Sequence, residues 1–125
     1  EVQPAVVGGR LALRHRAEAP AGAGFVVDAW FGFQPLQVLQ DGLARAGLSE
    51  ITEIWCHAPP ETIGARYAAR LDSRPAGHPG AEYVPELIAL AARAAPTGLA
   101  RCHPVDTTQV LDLDALTAWL QRVQP

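Results

Sequence analysis

The chain contains no lysine; its ten basic residues are all arginines. That absence excludes a glycine loop ending in Gly-Lys-Ser/Thr, the usual phosphate cradle, because the lysine of such a loop reaches the phosphates. Long apolar runs are lacking too. The stretch Leu87-Ile88-Ala89-Leu90-Ala91-Ala92 is among the longest, and a bilayer span needs roughly 20 such residues, so no membrane association is expected. The chain starts at Glu1 without methionine and without the charged and apolar segments of a signal peptide. Neither secretion nor targeting is expected, and the chain reads as a cut or processed piece. Positive charge is in deficit, with a net charge of -3 and a pI near 5.7. Nucleic acid is therefore not an expected partner, since its phosphate backbone demands a basic face. Cysteine is scarce, and the two residues, Cys56 and Cys102, are expected as reduced thiols of a cytoplasmic protein rather than as a bridge.

What is present describes a globular chain. Hydrophobic residues make up 49% and charged residues 18% of 125 positions, enough for one core and one domain over residues 1–125. A helix over residues 10–19 is broken by Pro20-Ala21-Gly22-Ala23-Gly24. Residues 25–31 then form a nearly continuous apolar run with one acid, the pattern of a parallel strand buried on both faces. Pro35 stands at a first helical position, and Leu36, Leu39, Leu43 and Ala46 recur at helical spacing until Gly47. Residues 51–56 are a second strand and residues 61–71 a helix after Ala58-Pro59-Pro60. Residues 72–85, with three prolines and two glycines, form a mobile, lid-like loop, because loops of that length are usually functional or disordered. A helix over residues 86–95, a weaker strand over residues 99–106 with Pro104 at an edge or turn, and a helix from Leu113 to Val123 capped by Asp112 complete the order. In that last helix Leu113, Leu116, Leu120 and Val123 share one side. Strands alternating with helices predict an α/β fold built on a parallel sheet.

In such sheets ligands bind at the carboxyl ends of the strands. Three sets of residues fall there: Asp28 with Trp30, His57 with the approach to Arg66, and Asp106-Thr107-Thr108. Asp28 either holds Mg²⁺ through water or accepts a hydroxyl proton, or it caps a turn. Arg66, Arg70 and Arg74 stand four apart, so a continuous helix would line them along one edge. Guanidinium groups bind phosphate in a bidentate fork. The alternative is a solvated charged face with Glu61 as an intrahelical partner. A Cys₂His₂ metal site from Cys56, His57, Cys102 and His103 is the rival constellation. Adjacent strand residues face opposite ways, so those four converge only if both pairs lie in loops, and no metal site is expected there. His15 and His78 read as surface residues, with His78 placed to join the loop, and Trp30 and Trp119 as core or rim aromatics.

Taken in order, Val26-Val27-Asp28-Ala29, Ile54-Trp55-Cys56-His57-Ala58-Pro59-Pro60-Glu61, Arg66-Tyr67-Ala68-Ala69-Arg70, Gly77-His78-Pro79-Gly80, Val105-Asp106-Thr107-Thr108 and Leu113-Asp114-Ala115-Leu116 resemble the carboxyl-terminal half of small-molecule P-loop kinases. The similar proteins are those of the gluconate-kinase, chloramphenicol-phosphotransferase and zeta-toxin type. The resemblance implies a three-layer parallel sheet, ATP and Mg²⁺ as cofactors, and phosphoryl transfer to a small hydroxyl-bearing substrate. It implies catalytic roles for Asp28, Arg66 and Arg70, phosphate contacts from Arg70 and Arg74 on the lid, and adenine near Val105, Asp106 and Thr107. The phosphate loop that precedes Asp28 in that family is missing, and Gly8-Gly9-Arg10 does not replace it. The expectation is thus either a lid-bearing half, inactive as an isolated piece and completed by an amino-terminal half, or a noncatalytic module that binds a nucleotide, an anion or a protein.

Overall fold

The computed structural model describes residues 26–28 and 35–123. The expected helix over residues 10–19, the Gly8-Gly9-Arg10 segment, His15 and Trp30 lie outside the described residues. The chain divides into two units, Glu1–Ile51 and Thr52–Pro125.

In the first unit, helix α1 spans Leu36–Arg45. Pro35 precedes it in an extended conformation, and its ring fixes the backbone for entry into the first turn. The helix stops where the spacing predicts. Gly47 adopts a φ of 62°, a left-handed conformation that costs glycine little. The Leu48 N–H then donates to Leu43 O at 2.9 Å and the Gly47 N–H to Ala44 O at 3.0 Å, satisfying carbonyls that the helix end would leave open. Of the expected strand over residues 25–31, only Val26, Val27 and Asp28 are described, all exposed and outside any regular element.

The second unit runs β1 (Thr52–His57), α2 (Pro60–Ala68), two 3₁₀ turns (Leu71–Ser73 and Ala81–Tyr83), α3 (Val84–Arg93), β2 (Arg101–Asp106) and α4 (Leu113–Val123). It is a mixed α/β unit whose two strands pair in parallel, from Thr52 opposite Arg101 to His57 opposite Asp106. Pairing in this register puts Glu53, Trp55 and His57 on the same face as Cys102, Pro104 and Asp106, and puts Thr52, Ile54 and Cys56 with Arg101, His103 and Val105 on the other. Helix α4 meets the second face, where the Trp119 ring lies 4.9 Å from the His103 ring. On that same face the β1 side chains Thr52, Ile54 and Cys56 are exposed.

Prolines set most of the boundaries. Pro59 and Pro60 open α2 and Pro85 opens α3, since proline at a first helical turn loses no hydrogen bond. The expected helix over residues 61–71 is corrected to Pro60–Ala68. Arg74 precedes Pro75, whose ring disfavours the helical region for its neighbour, and Arg74 is extended at φ -81° and ψ 144°. Helix α3 starts earlier than residue 86, on two residues preceding the expected start. Strand β2 begins at Arg101 rather than residue 99, because the chain turns at Gly98 with a φ of 72°. Pro104 sits inside β2, opposite Trp55. Among the described residues the sheet has two strands, so β2 keeps an unpaired edge where a missing N–H costs nothing.

The segment expected as a mobile lid is built from the two 3₁₀ turns and fastened to α2. The Tyr67 hydroxyl donates to Pro79 O at 2.6 Å, and Gly80 N–H donates to Glu82 Oε1 at 2.8 Å. Tyr67 and Leu87 are the buried hydrophobic side chains among the described residues. Gly64 lets α2 and α3 approach closely against Ile88 and Val84. Helix α4 has the predicted bounds. Asp112 caps it by accepting the Ala115 N–H at 2.8 Å, which satisfies one of the open donors of the first turn. Leu116, Leu120 and Val123 are half-buried while Leu113, in that first turn, is exposed; the contact with the sheet is made two turns further on, by Trp119.

Candidate functional site

The carboxyl ends of β1 and β2 are their last residues, His57 and Asp106, which stand opposite each other. The chain continues from Asp106 into a tight turn. Asp106 Oδ1 accepts from Thr108 N–H at 2.9 Å and from the Thr108 hydroxyl at 2.7 Å. That hydroxyl and then that N–H hold the Asp106 carboxyl below the usual carboxylate range, with the charges of His57 and Arg66 acting in the same direction. Asp106 is therefore an anion at neutral pH. Trp55, two residues before His57 on the same face, stacks on its ring at 4.7 Å.

Arg66 reaches this strand end from the last turn of α2. Its Nη1 donates to Thr107 Oγ1 at 2.7 Å and its Nη2 to Thr107 O at 2.8 Å. Both terminal nitrogens of the fork are engaged by one residue across 41 positions of sequence. Arg70 lies beyond the helix, its Nε donating back to Arg66 O at 3.1 Å. Arg74 turns elsewhere: its guanidinium carbon sits 4.0 Å above the centre of the Tyr67 ring, and its Nε is buried without a hydrogen-bond partner. The expected single row of three guanidinium groups is thus corrected to three different settings. Helix α2 ends at Ala68, before the second and third positions, and Pro75 holds Arg74 extended. Arg66 is directed at the strand ends, Arg70 follows it, and Arg74 belongs to the Tyr67 cluster.

Of the other expected site residues, Thr107 is the pivot of the strand end and Val105 is a half-buried β2 residue opposite Cys56. Asp28 is exposed and belongs to the Glu1–Ile51 unit. Two residues were not anticipated. Tyr67 binds the Pro79 carbonyl, carries Arg74 on its face and meets the Tyr83 ring at 5.7 Å; its position between Arg66 and Arg70, with a proline-rich segment following, was the available signal. Glu53 accepts from Thr97 N–H at 3.1 Å and from the Thr97 hydroxyl at 2.7 Å, fixing the approach to β2. Nothing local to Glu53 announces a partner 44 residues away.

The four residues of the rival metal constellation are spread over the sheet. Cys56 and Cys102 are free thiols, on opposite faces by the register, and among the described residues no group of three or more His, Cys, Asp or Glu side chains is arranged to hold a metal. Burial, and next the Glu53 charge, push the Cys102 thiol up, which keeps it protonated and slow to react, whereas Cys56 is exposed. Iodoacetamide is accordingly expected to alkylate Cys56 at least about tenfold faster than Cys102, since the thiolate is the nucleophile. Peptide mass spectrometry over a time course reads this directly, and equal rates would contradict the half-buried setting of Cys102.

The chain matches no protein-family model, no curated protein and no solved structure. Among the described residues no helix is long and apolar enough to cross a membrane.

Proposed function

We propose that the Thr52–Pro125 unit is the lid-bearing half of a three-layer, P-loop kinase-like domain, and that it binds the phosphate end of a nucleotide. The single observation that supports this reading is the Arg66 fork on Thr107, which brings the arginine-bearing end of α2 to the carboxyl ends of the parallel strands, where ligands of open α/β sheets bind. The charge pattern there favours one orientation. Asp106 is ionised and repels phosphate, so a nucleotide would lay its neutral base near Val105, Asp106 and Thr107 and its phosphates toward Arg70. Mg²⁺ would accompany the phosphates. Completed by an amino-terminal half that supplies a phosphate loop, such a unit would transfer a phosphoryl group from ATP to a small hydroxyl-bearing substrate. Positioning and charge stabilisation supply most of the catalysis in that reaction. The isolated piece would be inactive, and its place would be the cytoplasm.

A second reading is favoured by the absence of lysine from all 125 residues: a noncatalytic module that uses the same strand end for an anion or a protein partner. Fold alone does not decide between them. Calorimetric titration of the protein with ATP and ADP, with and without Mg²⁺, separates the two. The kinase-like reading expects binding at millimolar nucleotide or below, weakened about tenfold in an Arg70→Ala variant, the loss of one charge-assisted contact. No heat at that concentration removes it and leaves the module. If an upstream segment restores turnover, Arg70→Ala should lower kcat at least about tenfold.

A further inference from the structure

The two outer edges of the sheet are unlike. The His57 carbonyl accepts from the Thr107 N–H at 2.9 Å and from the Thr107 hydroxyl at 3.0 Å, so the backbone of His57 faces β2. Successive residues of a strand turn their N–H and C=O groups to opposite sides. Glu53 and Trp55 therefore face β2 with His57, while Thr52, Ile54 and Cys56 turn their backbone groups away from it. Among the described residues nothing bonds to those outward groups, and the three side chains are exposed. By the same alternation the outward side of β2 belongs to Cys102, Pro104 and Asp106. Proline withholds an N–H there and guards that edge against further pairing. Thr52–His57 contains no proline and no lysine or arginine, so the edge of β1 is open to another strand.

The β1 sequence is complementary to itself. When a second copy lies antiparallel along this edge with the two Trp55 residues opposite each other, Glu53 of each copy stands opposite His57 of the other. Opposite charges in such cross-strand positions stabilise the pair. The Glu53 carboxylate accepts from Thr97, and its two oxygens have lone pairs to spare. Ile54 of each copy then meets Cys56 of the other through their outward backbone groups, and each such pair exchanges both its N–H···O bonds. The Trp55 pair falls between them, where the backbones come closest and aromatic pairs add stability. Ile54, 41% exposed in the single chain, gains an apolar neighbour on the other face. A register centred on Ile54 would set Glu53 against Trp55 and forfeit both charge pairs.

We infer that β1 is a dimerisation edge: a second copy of this chain pairs with it antiparallel, centred on Trp55, to form one continuous sheet across both copies. The interface is isologous, the commonest symmetry of soluble oligomers. It does not depend on nucleotide binding, and the outcome of the nucleotide titration does not bear on it.

Sedimentation equilibrium of the full chain at up to about 1 mM, a range that suits a small interface, should show a reversible dimer of twice the 13.3 kDa chain mass. Ile54→Pro removes an outward N–H, as Pro104 does on β2, and leaves the bonds to β2 in place. It should raise the dimer dissociation constant at least about tenfold, since both copies lose that bond, with an unchanged circular dichroism spectrum. Cysteine cross-linking reads the register. Ile54→Cys sets a thiol opposite the native Cys56 of the second copy at a Cα separation of about 5.5 Å, within disulfide reach. Mild oxidation should then yield covalent dimers in which peptide mass spectrometry joins positions 54 and 56. Thr52→Cys, which the register centred on Ile54 would place opposite Cys56, should yield few. A wild type that stays monomeric over the whole range overturns the inference, including one whose Ile54 and Cys56 amides resist hydrogen exchange because another segment covers the edge. So does an Ile54→Pro variant that dimerises like the wild type, or stronger cross-linking from position 52 than from position 54. If Ile54→Pro does not fold, the two cysteine variants decide the matter.

Discussion

Tyr67→Ala is expected to abolish cooperative unfolding of the Thr52–Pro125 unit. Tyr67 is 6% exposed and, with Leu87, forms the buried hydrophobic set among the described residues. Its ring lies under Arg74 and against Tyr83, and its hydroxyl holds Pro79. Truncating a buried aromatic residue to alanine costs about 3–5 kcal/mol, and whole domains are stable by only about 5–15 kcal/mol. A unit with so few buried side chains has little reserve against such a loss. Tyr67→Phe isolates the hydroxyl, because it keeps the ring and removes only the hydrogen bond to Pro79, which contributes about 1 kcal/mol. Urea denaturation followed by circular dichroism reads both. The alanine variant should show no sigmoidal transition, and the phenylalanine variant should shift the midpoint modestly. An alanine variant with the wild-type midpoint would mean that the core lies elsewhere.

The second large effect is expected at Gly64, where α2 and α3 meet. A Cβ built there would stand 2.7 Å from Ile88 Cδ1 and Cγ1 and 3.4 Å from Val84 Cγ1. Two opposing contributions act on Gly64→Ala. Replacing glycine inside a helix gains about 1 kcal/mol of propensity, and forcing a methyl against Ile88 costs about 1–3 kcal/mol, so the net change should be small. Valine adds two further methyl groups at the same contact and recovers less propensity. Gly64→Val should therefore destabilise the unit by at least about 2 kcal/mol. Combining it with Ile88→Ala should restore part of that loss through a favourable coupling between neighbours. Additive effects in the double variant would show that Ile88 is not what Gly64 accommodates.

Legibility of the fold in the sequence followed the range of the forces involved. Helix α4 was legible to the residue, because Asp112 and the apolar spacing act within a few positions, and Gly47 marked the end of α1 for the same reason. Helix α2 ends at Ala68 rather than residue 71, and Pro75 signalled only that Arg74, its neighbour, would leave the helical region. The parallel pairing of β1 with β2 was legible as an alternation of strands and helices, whereas Val26, Val27 and Asp28, expected within a buried strand, are exposed and outside any regular element. In the candidate site, residue types were readable and their partners were not. Arg66 was visible as a cation, but its choice of Thr107 depends on contact between segments 41 residues apart. Tyr67 gathers Arg74, Pro79 and Tyr83 by packing, which leaves no periodic trace.

Glu53 with Thr97 stands near the beginning of the strand pair, and Thr107 with His57 stands at its finish. Polar locks at both extremities forbid sliding. A shift of β2 by one residue along β1 would break both locks together and move every β2 side chain to the opposite face, carrying His103 away from Trp119. Two short strands with one open face would otherwise have several alignments close in energy, so these side chains select a single one.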